Sequence, residues 1–202
     1  MKMNTPPAPK GRPRAFDTDV ALECALELFW RQGYEGTSLS DLTAAMGINR
    51  PSLYAAFGNK EQLFRLALDR YLSGPAAGVA EALKEPTARK VAERMLRGVV
   101  EQMSDPKRPK GCMVVQAALS SGAEADSIRE ALAAHRNEAR NALRRRFEKA
   151  ITAGDLPAGT DAGGLAGYLM AVIHGLAVLS ASGLTPRELQ AIAQVALQHW
   201  PA

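Results

Sequence analysis

Between Thr37 and Leu63 the chain reads TSLSDLTAAMGINRPSLYAAFGNKEQL, and three helices must start there in close succession. Ser38 opens the first, with Asp41 three residues later as an Asp variant of the capping box. Leu39, Leu42 and Met46 supply its inner face, and Gly47 with Ile48 makes the turn. Asn49 caps a second helix, about 50–57, with Pro51 harmless in its first turn and Leu53 and Phe57 inward. Gly58 stops it, and Asn59 with Gln62 caps the third. So short a turn sets two helices at a steep angle, as in a helix-turn-helix. The second helix can then enter the major groove of DNA, which points to a regulator rather than an enzyme.

The remainder of the 202 residues predicts an all-α chain, rich in Ala and Leu and poor in β-branched runs. Residues 1–14 hold four prolines and four basic residues with no acid, a flexible basic arm. The first helix, about 16–32, has an inner stripe of Val20, Ala21, Cys24, Ala25 and Leu28, and Gly33 ends it. The helix after Asn59 runs to Gly74-Pro75. Weaker patterns occupy about 76–84, 87–103 and 112–120, with the loop DPKRPKG between the last two. A long amphipathic helix spans about 126–153, with Ile128, Leu132, Ala139, Leu143, Phe147 and Ala150 inward. An uncharged helix follows, about 162–181, and Thr185-Pro186-Arg187-Glu188 starts a last one. The expected division is an arm at 1–14, a head at 15–60 and a body at 61–202.

Net charge is +4, too small to prove a nucleic-acid partner, so the placement of charge carries that argument. Arg50, Ser52 and Tyr54 project from the start of the second helix of the pair. Arg can fork onto guanine, and hydroxyls can bond phosphates or bases. Lys60 and Ser38 sit at other helix N-termini, where free N–H groups attract phosphate. Arg12 and Arg14 of the arm can reach an adjacent minor groove, or remain a solvated tail.

At these residues the stretch GYEGTSLSDLTAAMGINRPSLYAAFGNKEQLF resembles the N-terminal domain of TetR-type transcriptional repressors, over about residues 15–65. The Gly-Tyr pair, the Thr-Ser pair, Leu-Tyr-x-x-Phe and Asn-Lys-Glu all occur in order. The resemblance implies an all-helical homodimer with a larger effector-binding and dimerising body, and repression relieved by a small molecule. It makes Ser38, Ser52, Tyr54 and Lys60 phosphate contacts, and Arg50 and Asn49 base contacts. Ala55-Ala56 departs from the bulkier residues common there. They either pack against thymine methyls or touch nothing.

In the body, the candidate effector-lining residues are Leu66, Met95, Val99, Met103, Cys112 and Met113, with Gln116, Tyr168 and His174. Cys112 follows Lys107, Arg108 and Lys110, so a thiol sensor of oxidants or electrophiles is an alternative. Gly167, Ala171 and Gly175 form a small-residue ridge, beside Leu165, Leu169, Val172, Leu176 and Leu179. With Leu143 and Phe147 of the long helix they predict a four-helix dimer interface. A two-fold dimer reads an inverted-repeat operator. Arg144-Arg145-Arg146 reads as a solvated helix face.

The segment from Ala162 to Pro186 lacks any Asp, Glu, Lys or Arg. Its Gly and Ser content and the missing aromatic belt favour a helix buried between protein partners over a membrane span. Two cysteines without metal spacing predict no metal and no cofactor, in a reducing, cytoplasmic setting. A helical enzyme or carrier, or a protein-binding head, are the other classes; no HExxH or GxSxG pattern supports the enzyme.

Overall fold

The computed structural model describes residues 16–117 and 125–201. The expected arm, with Arg12 and Arg14, lies outside them. The described residues form ten helices and no strand. They are α1 (Thr18–Gly36), α2 (Leu39–Met46), α3 (Arg50–Phe57), α4 (Lys60–Ser73) and α5 (Gly78–Ala82). Then come α6 (Ala88–Ser104), α7 (Met113–Ala117), α8 (Asp126–Thr152), α9 (Ala162–Ala181) and α10 (Pro186–Gln198).

Local chemistry explains the helix starts. Ser38 with Asp41, Asn59 with Gln62, and Thr185 with Glu188 each form a reciprocal capping box. Asn49 caps α3 by accepting from the Ser52 N–H. Gly33 interrupts α1 with φ 72 and ψ 177, a conformation that needs glycine, and Thr37 Oγ1 donates to its carbonyl at 2.7 Å. The chain therefore turns at Gly33, as its sequence predicts, but resumes one helical turn before α2.

Two apolar clusters result. The first joins α1–α4 with residues from α7 and the start of α8, among them Met113, Ile128 and Leu132. Its centre is aromatic: Phe64 packs edge-on against Phe29 at 5.0 Å and Tyr34 at 5.2 Å. The second joins α5, α6, α8, α9 and α10, with Phe147 against Trp200 at 5.6 Å. The head's cluster does not stop at residue 60, because Leu63, Phe64, Ala67, Leu68 and Tyr71 of α4 all belong to it. Trp30 ties head to body: its Nε1–H donates to Gly111 O at 3.0 Å, and its ring meets Tyr71 edge-on at 4.7 Å.

Two expected faces are rotated or reassigned. The α1 stripe runs through Ala21, Ala25, Phe29 and the adjacent Leu26 and Trp30, whereas Val20 is 60% exposed and Cys24 only half-buried. The large aromatics outweigh Val20 in setting which arc turns inward. In the Arg144–Arg146 run, Arg144 pairs with Glu148 on the surface, but Arg146 donates to the carbonyls of Glu85 and Pro86 at 2.8 and 3.0 Å. Arg146 is a staple between α8 and the link before α6.

Candidate nucleic-acid interface and internal cavity

The α2–α3 pair presents a polar rim around the start of α3. Arg50 Nη2 donates to Ser40 Oγ of α2 at 2.9 Å, so the exposed guanidinium is held over the other helix of the pair. Ser40 is a residue that sequence reasoning missed, since an exposed Ser inside a helix carries no local signal. Tyr54 is 48% exposed one turn further along α3, and Ser52 is half-buried beside it. Lys60 Nζ sits 4.4 Å from the centroid of the Tyr34 ring, a cation–π contact that orients the ammonium at the N-terminus of α4.

Two of the predicted contacts are already engaged in the fold. Ser38 Oγ donates to Asp41 Oδ2 at 2.6 Å and accepts from the Asp41 N–H at 3.1 Å. That hydrogen bonding holds the Asp41 carboxyl below its ordinary range, and the cap stays ionised. What the first turn of α2 can offer a phosphate is its remaining backbone N–H groups. Asn49 Oδ1 is likewise taken up by the Ser52 N–H at 2.9 Å, leaving its amide NH₂ to donate.

Gly58 sets the step from α3 to α4 at φ 74 and ψ −131, a region essentially restricted to glycine. A Cβ there would lie 1.8 Å from Gln62 Oε1, inside the cap of α4. The short link that places Lys60 beside α3 therefore depends on a missing side chain.

In the body, a cavity of about 220 Å³ lies among α4, α5, α6, α8 and α9. Of the candidate effector-lining residues, Met95, Val99, Met103, Cys112 and His174 line it. Met113, Gln116, Tyr168 and Leu66 do not. Met113 is fully buried in the head's cluster, and Gln116 Nε2 donates to Lys110 O at 3.3 Å. Tyr168 and Leu66 are each 43% exposed on outer faces. The polar end of the cavity is a chain in which Gln102 Nε2 donates to Tyr71 Oη at 3.0 Å and Tyr71 O–H donates to Cys112 Sγ at 3.3 Å. Burial first, then the neighbouring Cys112, pushes the Tyr71 phenol well above its usual value, so it stays protonated. The basic residues before Cys112 turn elsewhere: Arg108 to Asp105 at 3.3 Å, Lys110 to Met103 O at 3.0 Å.

The expected dimer surface divides in two. Leu143, Phe147, Leu169 and Leu176 are at most 1% exposed inside one protomer. They offer no area to a second copy, because α8, α9 and the helices behind them already close over these side chains. Leu165, Gly167, Ala171, Val172, Gly175 and Leu179 remain half-buried or exposed along α9. A Cβ at Gly167 or Gly175 would meet nothing within 4 Å, and Tyr168 and Val178 flank this ridge in the open. α9 is long and apolar enough to cross a membrane, with mean hydropathy 1.7 and a third of it buried. Its inner strip forms the body core, and the outer ridge is what remains to be covered.

Comparison with known proteins matches this geometry. Residues 21–67 match the family of bacterial regulatory proteins of the tetR type, and residues 89–196 match the tetracyclin repressor-like C-terminal domain. The HTH-type transcriptional repressor ComR of Escherichia coli (strain K12) is 32% identical over 194 residues, covering 95% of this chain and 92% of that one. A cysteine mutant of the TetR family regulator CifR, complexed with 26-bp double-strand operator DNA, is 43% identical. Its TM-score is 0.90, with 95% of this chain and 100% of that chain covered. A TetR regulator from Rhodococcus sp. RHA1 is 50% identical with a TM-score of 0.64, over 92% and 100% of the two chains. With both head and body matched and a relative similar along nearly its whole length, the chain belongs to the TetR family and is a DNA-binding transcriptional regulator.

Proposed function

We propose that this protein is a homodimeric cytoplasmic repressor that binds an inverted-repeat operator and leaves it when a small molecule fills the body cavity. The observation that carries the DNA half is the succession of Arg50 at the start of α3, Tyr54 exposed one turn further on, and Lys60 at the start of α4. Arg50, the first residue of α3, would read bases. Tyr54 and Lys60, with the free N–H groups of α4, suit phosphate contacts that set register. Ser38, Ser52 and Asn49 add donors at the rim, the first through its backbone neighbours. The outer ridge of α9 supplies the dimer contact, so that two heads face successive major grooves.

The switching half rests on α4. Tyr71 and Leu72 near its C-terminal end wall the cavity, while Lys60 is its first residue. A helix of 14 residues is about 20 Å long and moves as a rod. A ligand that displaces Tyr71 also disturbs Trp30 of α1, which packs on Tyr71 and bonds Gly111. Both elements under the reading helix would shift together, and heads set at the wrong spacing lose the operator.

Selection of bound duplexes from a random pool tests the assignment. The enriched sites are expected to be inverted repeats. Arg50→Ala should lose about 1–3 kcal/mol of discrimination at its base pair. Lys60→Ala and Tyr54→Phe should weaken all selected sites alike, Lys60→Ala lowering the salt slope by about one. If Arg50→Ala left the base preference intact while Lys60→Ala changed it, the roles would be wrongly assigned.

A further inference from the structure

The described walls of the cavity combine two properties. Most are apolar, including Leu72, Met95, Val99, Met170, Ile173 and Ala177. The basic ones are Arg94, Arg136, His135 and His174, and no Asp or Glu lines the cavity among the described residues. Arg94 is answered by Glu85 at 2.6 Å. Arg136 of α8 is not answered in kind among the described residues: its Nη1 donates to the Val114 carbonyl at 3.3 Å, a dipole rather than a charge. Glu138, two residues further along α8, is exposed and lines a neighbouring surface recess that shares Leu72 and His135 with the cavity.

His174 faces the same guanidinium from α9. Burial first, then Arg136, depresses its pKa, so near neutral pH it is a neutral imidazole that can donate or accept a hydrogen bond. Among the described residues, the cavity thus has one unopposed permanent charge, and it is positive. A half-buried guanidinium without a carboxylate partner is an unfavourable arrangement that a bound anion would relieve.

Resting on the reading of this cavity as the effector site, we propose that the effector is a small organic anion: an aliphatic or aromatic body carrying one carboxylate, held by Arg136. The planar guanidinium can take a carboxylate through two parallel hydrogen bonds, and His174 can add a third. The apolar body then lies along α6 and α9. The volume of about 220 Å³ is below the roughly 300–1,000 Å³ of pockets for drug-sized ligands, which favours a compact acid. Organic cations are excluded by the same charge.

The experiment uses the purified full-length protein with phenylacetate, cinnamate and hexanoate, each paired with its neutral amide. Calorimetry and thermal shift measure binding, and displacement of a labelled operator is read separately. At least one acid is expected to bind at least about tenfold more tightly than its amide, the scale of a charge-assisted hydrogen bond. Arg136→Gln should erase that preference without changing operator affinity, and Arg136→Lys should restore much of it. The proposal is overturned if no acid binds, if amides match their acids, or if Arg136→Gln keeps the preference. Acids that bind through Arg136 yet leave the operator bound at saturation would instead refute the cavity as the switch. Release by the amides alone would keep the switch and refute the anion.

Discussion

Phe64→Ala is expected to destabilise the protein by about 3–5 kcal/mol, the range for removing a fully buried aromatic ring. Phe64 has no exposed surface, and its ring is the edge-on partner of both Phe29 and Tyr34. Those contacts join α4 to the two halves of α1 on either side of the Gly33 turn. Tyr34 in turn carries the Lys60 ammonium on its face. The loss would reach the DNA-facing rim as well as the core, and it is a large part of the roughly 5–15 kcal/mol that holds a typical domain. Denaturant unfolding measures it directly. A loss below about 1 kcal/mol would mean that these rings do not organise the head.

The second large effect concerns the outer ridge of α9. Ala171→Asp is expected to turn the dimer into a monomer while leaving the protomer folded. Ala171 is exposed in the single chain, so the protomer loses only helix propensity, under about 1 kcal/mol. Across a two-fold axis the same change would bury two like charges in an apolar contact, a cost of several kcal/mol. Light scattering should show the halved mass. Operator affinity should fall at least about a hundredfold, since each monomer holds one half-site only. A dimer that persists in the Ala171→Asp variant would move the interface off this ridge.

These two sites also mark what was legible in the sequence. Helix starts were readable because a cap is a local event: Ser38–Asp41, Asn49, Asn59–Gln62 and Thr185–Glu188 each act within one turn. The inward set of α8 was readable because a polar face opposes it, and all but Ala139 are buried, Ala139 lining the cavity instead. α9 gave no such purchase. It is apolar on every side, so its pattern could not say that Leu169 and Leu176 turn inward while Tyr168 and Ala171 turn out. Met113 and Gln116 lie outside the cavity, and α7, with five residues, is too short for its sequence to define a phase. The contacts that couple head to body were invisible for another reason. Trp30 and Gly111 stand 81 residues apart, and Tyr71 meets Cys112 across 41. Only the packed fold brings such pairs together.

At the candidate DNA surface the resemblance supplied roles that local chemistry then refined. Arg50 and Lys60 stand at the expected helix starts, one bridged to Ser40 and one laid on Tyr34. Ser38 and Asn49 give their side chains first to helix capping. Their exposure to DNA is therefore second to their part in building the head.

The central claim is that a pair of such heads reads an inverted repeat. Its most direct test is binding of the purified protein to duplexes from around its own coding region, with scrambled duplexes as controls, across a salt series. Two protomers per inverted repeat are predicted. The logarithm of affinity should fall linearly with the logarithm of salt, and a native site should exceed scrambled DNA by about a thousandfold or more. Equal affinity for native and scrambled DNA at every salt concentration, or one protomer per site, would contradict it.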